Sequence, residues 1–408
     1  MRMRKFIFIV GALLGALFFL SACEDGGHFL FEDTSEDMLD LHHNYQYGRH
    51  AVFFKSAPMQ LAMYEPPHGS FIGMYTDAIQ GLDGRVIAAH EAAIGVRHAA
   101  FMEVMYIGGD FPLLWVLECI AEQKIPIIVI LPPEEEDFFS GNWEEILTET
   151  AAAFAEVPVP MFAVFFPVPK NSDWDAATYI AFFRYARAIF AIYAPHVAFV
   201  WTVDADKENF KENFKDYFPG NLAVDWVGLT LFSTSLEIPE YIMHFYHAFQ
   251  RDKPIMLNLG LSHFSTADHR YRIAETAAVL EQIYHTIKRD FPRVKMVNYM
   301  DVNRLDYDGH DYRISMDTAL QAAYRDSIRG FITEFPQNFD DALITQPIRS
   351  VYCAYIENGR IYLDIRIVAS ELGMPVPGPV RWIGGTQRVD AGLLDIRAEI
   401  DQGHVWLR

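Results

Sequence analysis

Carboxylates are the residues of this chain best placed to do chemistry, and several follow short apolar runs. Asp204 and Asp206 come after "VAFVWTV", Asp301 after "VKMVNYM" and "EEED" (134–137) after "PIIVIL", while Glu103 lies inside "HAAFMEVMYI". Two carboxyls flanking one bond, one protonated and one ionised, can cleave acetals by acid–base and nucleophilic steps. Singly, such residues are more often solvated loop acids or helix caps. Other constellations are weaker. "SHFS" with Asp268 supplies Ser, His and Asp, but all three lie in one loop without the elbow that exposes a nucleophilic serine. His42 and His43 are a lone pair in a polar segment, and no CxxC or HExxH spacing occurs. No metal site and no cofactor are expected. Cys119 lies in the apolar stretch "LLWVLECIAEQ", far in sequence from Cys353. A buried inert thiol is expected there rather than half of a disulfide.

The elements that must position these acids begin near Ser70. Apolar runs at 70–75, 98–107, 126–131, 160–166, 197–203, 224–232, 254–259 and 294–300 alternate with longer amphipathic stretches such as "NWEEILTETAAAFAE". Continuous apolar strands between helices imply parallel β-structure buried on both faces. Eight such units in about 260 residues match a (β/α)8 barrel. A doubly wound sheet would announce a glycine-rich phosphate turn after its first strand, and "GMYTDAIQG" is not one. The expected fold class is therefore α/β, a (β/α)8 TIM-type barrel over 65–335 whose last stretch, 311–335, reads as a closing helix. A small β-rich (α+β) domain follows over 348–408. Hydrophobic residues at 51% and aromatics at 14% supply a large core and exclude disorder for the bulk of the chain.

The start of the chain is an address. "MRMRK" is followed by an apolar run of 15 residues and then "SAC", too short for a spanning helix and suited to a secretory signal. "LSAC" at Leu20 to Cys23 resembles the bacterial lipobox, in which the cysteine sulfur is lipidated after cleavage. Residues 1–22 are thus expected to be a lipoprotein signal peptide and 23–64 an acidic tether or N-terminal arm. Cys23 is the expected lipidation site. The protein would then be an exported bacterial membrane lipoprotein on the extracytoplasmic face. Loss of Arg2, Arg4 and Lys5 takes the formal net charge from −21 to −24. Nucleic acid is excluded as a partner, because phosphate attraction needs clustered Lys and Arg. A neutral polysaccharide is not.

Several segments together resemble family 26 glycoside hydrolases, the β-mannanase-like barrels. "EPPHGSFIGMY" is similar to their first strand, "YFPGNLAVDWVGLTLFS" (217–233) to their sixth, "KPIMLNLGLS" to their seventh and "DYRI" to the start of their last helix. The resemblance spans roughly 65–330 and implies a barrel that takes β-mannan or a related glycan at the C-terminal ends of its strands. The family is retaining: a glutamate ending strand four acts as acid/base and one ending strand seven as nucleophile, about 5 Å apart. Both positions depart here. Strand seven offers Asn258 or Leu259, depending on the direction of counting, and strand four offers Val168 or Pro169. None of these can attack an anomeric carbon or protonate a leaving group.

The resemblance with both glutamates replaced implies a non-catalytic polysaccharide-binding or scaffolding protein at the cell surface. A divergent hydrolase with relocated carboxylates, Asp204 and Asp301 first, is the alternative. A structural envelope protein that packs against a protein partner is a third reading. For sugar binding, Trp174, Trp201, Phe232 and Tyr299 fall at or near predicted strand ends, where flat rings stack on pyranoses. Asp204, Asn258, His263 and Asp301 would add hydrogen bonds. The segment "ENGRIYLDIRIVASELG" (357–373) faintly resembles the stalk domains of bacterial surface proteins, also called copper amine oxidase N-terminal-like, and implies a spacer or contact module without copper chemistry.

Overall fold

The computed structural model describes residues 49–77, 86–132, 142–167, 175–205, 214–233, 238–336, 343–383, 385–401 and 403–408. Eight parallel strands close into a barrel: β2 (Phe71–Thr76), β3 (Ala100–Tyr106), β4 (Ile125–Leu131), β5 (Met161–Phe165), β6 (Val197–Asp204), β7 (Trp226–Ser233), β8 (Ile255–Leu261) and β11 (Val294–Asp301), with β11 pairing back onto β2. Each ends within about two residues of its predicted span, because a strand covered on both faces must be apolar throughout. β4, "IPIIVIL", is buried over its first six residues.

Among the described residues, seven helices pack around the strands: α1 (Val86–Ile94), α2 (Leu113–Ala121), α3 (Trp143–Ala155), α4 (Ala176–Tyr193), α5 (Ile238–Phe249), α6 (Ile273–Asp290) and α7 (Thr318–Ser327). Asp175 caps α4 by accepting from Thr178 N at 2.9 Å, and Asp317 caps α7 by accepting from Ala319 N and Leu320 N. Side-chain oxygens satisfy the otherwise orphaned first-turn N–H groups. These caps also correct an expectation: the closing helix spans ten residues rather than most of 311–335. Asp317 sets its start, a short 3-10 turn at Ile314–Met316 precedes it, and Gly330 leaves helical backbone with φ +85°.

A second sheet has seven strands. β14 (Pro347–Glu357), β15 (Arg360–Asp364), β16 (Val380–Ile383), β17 (Thr386–Asp390), β18 (Ala398–Asp401) and β19 (His404–Leu407) come from the C-terminal region. The seventh is β1 (Arg49–Lys55), which the sequence leaves in the acidic arm. It lies inside the sheet, antiparallel to β14 and parallel to β19. Its alternating "AVFF" buries Val52 and Phe54 in the sheet's own core. Barrel and sheet belong to one compact unit.

They meet at the N-terminal end of the barrel strands, where α5 and α6 end. Asp290, at the end of α6, accepts from Arg289 at 2.7 Å through both oxygens and pairs with His404 at 2.6 Å, all within the joint. Gln250 bonds the Arg349 backbone in both directions.

Candidate functional site: the C-terminal mouth of the barrel

The barrel interior has two characters. At the lower end Phe71, Phe162 and Trp226 fill the lumen, and Tyr64 and Phe335 pack beneath them. The indole of Trp226 donates to Met63 O at 2.7 Å. That end is sealed. Higher up, several inward positions are small or polar, Gly73, Thr202, Gly228, Thr230, Asn258 and Asn298, while Val104, Val129 and Val164 keep the opposite wall apolar. The glycines are required by contact, since a Cβ on Gly73 would lie 2.0 Å from Asn298 Oδ1 and one on Gly228 would lie 2.4 Å from Thr202.

Across this level runs a chain of neutral polar groups. Asn298 Nδ2 donates to Asn258 Oδ1 at 2.9 Å, and Asn258 Nδ2 donates to Thr230 Oγ1 at 3.1 Å. Register puts Asn258 beside both partners, opposite Asn298 on β11 and Thr230 on β7. Alternation then separates the two residues that counting left open on strand seven. Asn258 faces the lumen, whereas Leu259 is buried in the layer between strands and helices. The inward group at this level is a carboxamide, which donates and accepts hydrogen bonds but has no free nucleophilic charge. Val168, Pro169 and Trp174, with Asp206 and "EEED", lie outside the described residues.

Above β8 and β11 the rim is built from a miniature four-stranded sheet: β9 (Phe264–Ser265), β10 (Arg270–Tyr271), β12 (Asn303–Arg304) and β13 (His310–Asp311). Phe232, at the inward end of β7, lies across Gly260, where an added Cβ would meet its ring at 2.5 Å. The Arg304 guanidinium sits 4.0 Å from the Phe232 ring centre and 4.4 Å from that of Tyr307, between the two rings. Phe232 is thus a covered ring, and Tyr307, 80% exposed, is the open one. Tyr271 on the same sheet and Tyr106 at the inward end of β3 are also exposed. Asp204 ends β6 on the inward side and is exposed. Asp77, after β2, accepts from Asn303 N through both oxygens and so ties the miniature sheet to the first barrel strand.

Other predicted residues sit elsewhere. Trp201 and Tyr299 point out of the barrel and are fully buried. Trp201 packs among Phe218, Phe245 and Phe249, and Tyr299 donates to Tyr312 O at 2.9 Å. They end up one position off the lumen phase, and a shift of one residue along a strand changes the face. His263 is buried under the miniature sheet near Asp311 and Tyr271, and burial pushes its pKa down, keeping it neutral. Glu103 also points outward, folding back to accept from Val104 N. Among the described residues no group of three or more His, Cys, Asp or Glu is placed to hold a metal ion. Cys119 and Cys353 are both free thiols.

Asp301 is likewise turned away from the mouth. It is fully buried, accepts from Ser315 N at 3.0 Å and Thr76 Oγ1 at 3.4 Å, and lies 3.9 Å from His90. Burial raises its pKa from 3.8 to about 6, and burial lowers that of His90 to about 4. A carboxyl that holds its proton more tightly folded than unfolded favours folding below pH about 4, and this contribution is lost as pH rises through about 6. Asp301→Asn should therefore stabilise the protein at pH 7.5, by up to about 3 kcal/mol, with the difference vanishing near pH 4. Denaturant melts at the two pH values check this, and a loss of stability at pH 7.5 would contradict it.

Sequence reasoning missed Thr230, Asn298, Arg304 and Tyr307. Period-two phasing against Asn258 would have found the first two. The last two lie in and just beyond the two-residue strand β12, in a polar stretch that carries no positional signal.

No protein-family model matches the chain, and no curated protein matches it in sequence. Solved structures do match. The chain is similar to a family 26 β-mannanase from Bacteroides ovatus, at a TM-score of 0.50 and 13% identity over 68% of this chain and 93% of that one. It is also similar to a modular endo-β-1,4-mannanase from Cellulomonas fimi, at a TM-score of 0.51 and 12% identity over 85% of this chain and 94% of that one. At such identities the likeness is one of fold.

Proposed function

We propose that this chain is an exported lipoprotein, anchored through Cys23, whose barrel mouth binds a polysaccharide of β-mannan or cell-wall type without cleaving it. The observation that carries this reading is Asn258, lumen-facing and hydrogen-bonded on both sides, where the mannanase-like resemblance puts a nucleophilic glutamate. A carboxamide held this way can orient sugar hydroxyls but cannot form a glycosyl intermediate. Exposed Tyr106, Tyr271 and Tyr307 supply flat rings around the mouth. A neutral glycan also has no quarrel with a formal charge of −21.

One observation favours a second reading. Asp204 is an exposed carboxylate at the inward end of β6. Among the described residues its counterpart at a first-strand end is Asp77, on the opposite side of the eight-strand ring. That places the pair across the mouth rather than in the close arrangement of a retaining enzyme.

The test is product release from mannan, xylan, mixed-linkage glucan and cell-wall glycans, run beside melting curves in each glycan. Binding without new reducing ends is expected, with a raised melting temperature, since a ligand that binds only the native state stabilises it. Release abolished by Asp204→Asn would establish the hydrolase reading. If no glycan shifts the melting temperature, the envelope-partner reading stands instead.

A further inference from the structure

A cavity of about 770 Å³ opens at the other end of the barrel from the mouth, where the seven-stranded sheet meets the end of α5. Its size is that of a small-molecule site. Phe54, Leu372, Ile396 and Leu407 give it apolar walls. Its charged side chains are those of Lys55, Arg251, Arg408 and Glu371. An excess of cations is notable in so acidic a chain.

The cations differ in how far they are engaged. Arg408 is tied to Glu399 at 3.4 Å. Arg251 is 54% exposed, lies 3.4 Å from Glu371 and sits over the Phe54 ring at 5.3 Å. Glu371 is largely buried and also accepts from Ser350 Oγ at 2.8 Å, so its charge is already answered from within the fold. Lys55 is exposed, and no ion pair reaches it among the described residues. A ligand entering here meets apolar walls, one cation with no ion pair among the described residues and a second, half in solvent, that is shared with Glu371.

We propose that this cavity binds a small amphipathic anion: an apolar chain carrying one carboxylate, its body against Phe54 and Leu372 and its head group between Lys55 and Arg251. The apolar walls supply affinity through burial. The two cations favour a charged head over a neutral one through direct charge pairing at the cavity's solvent-facing edge. The site depends on the insertion of β1 into the C-terminal sheet, since the segment from Phe54 to Met59 forms one of its sides. It is independent of the sugar reading and lies far from Asn258.

The test is calorimetric titration of the purified protein with dodecanoate and with dodecanol, both below their aggregation limits, with 2-naphthoate to separate chain from ring. Dodecanoate should bind one to one, dodecanol at least tenfold more weakly, and naphthoate more weakly than the chain. Lys55→Glu should weaken dodecanoate at least tenfold. Ala57→Trp, which fills the cavity from an exposed position on its lining, should abolish binding. Both variants should keep the wild-type melting temperature. The proposal is overturned if dodecanoate does not bind, if dodecanol binds equally well, or if neither variant changes the affinity.

Discussion

Replacing Asp290 by Ala should destabilise the protein by about 3–5 kcal/mol, the range for removing one partner from a buried ion pair. Asp290 is 2% exposed, and its carboxylate is shared by the two Arg289 bonds and His404. Arg349 Nη1 also donates to its backbone oxygen at 3.3 Å. Truncation would leave a buried imidazole and a guanidinium without their acceptor, at the place where barrel and sheet are joined. Burial pushes the Asp290 carboxyl up, but the bonds from Arg289 and His404 and the charge of Arg349 outweigh it and hold it far below the usual range. A depressed carboxyl contributes stability above its unfolded value near pH 4 and loses it as pH falls through the folded value. The gap between wild type and Asp290→Ala should therefore narrow below pH 4. Denaturant unfolding at pH 7 and pH 3 measures both effects. A difference under about 1 kcal/mol at pH 7 would mean that the Asp290 carboxylate does not hold the joint.

On the proposed glycan-binding reading, Asn258→Ala should lower glycan affinity at least tenfold; it should also cost about 1–3 kcal/mol of stability, because it strands the Asn298 amide and the Thr230 hydroxyl without partners in the lumen. Affinity electrophoresis in the polysaccharide that the wild type binds reads the first effect, and thermal melts read the second. Unchanged mobility with the expected loss of stability would confine Asn258 to a packing role. Asn258→Glu is the complementary variant. It places a carboxylate on strand seven but none on strand four, where the sequence reads "VFFPVPKNSDW", so no reducing ends should be released. Turnover by Asn258→Glu would reveal a working acid elsewhere on the mouth and overturn the non-catalytic reading.

The barrel strands were legible because burial on both faces forces long apolar runs, and their ends could be read to within about two residues. Which side of the wall a residue faces was not. Trp201 and Tyr299 look like rim residues by their distance along the strand, yet the two-residue period turns both toward the helices. The same rule resolves Asn258 against Leu259. Position along a strand follows from where the apolar run stops, whereas facing requires a phase, and an all-apolar run conceals it. Rim residues such as Arg304 and Tyr307 come from a polar stretch, where neither period applies. β1 was missed because its partners are remote: Ser56, just beyond it, bonds Gln346 across 290 residues, and no local pattern encodes such a pairing.

That pairing also imposes an order of events. β1 is synthesised before the whole barrel, and β14 and β19, which flank it, come after the barrel is complete. Until then "HAVFF" has no partner and is open to aberrant strand pairing. Closing so long a loop in an unfolded chain would be slow. A folded barrel shortens the search, because it brings the two connecting segments together at the Met59–Ile344 bridge, next to the waiting strand. In a chain made from its N-terminus the barrel strands are complete before β14 and β19 exist, so the sheet can be finished only after them. A chain that stops short of β14 would keep its barrel sequence whole and still leave β1 with nowhere to go.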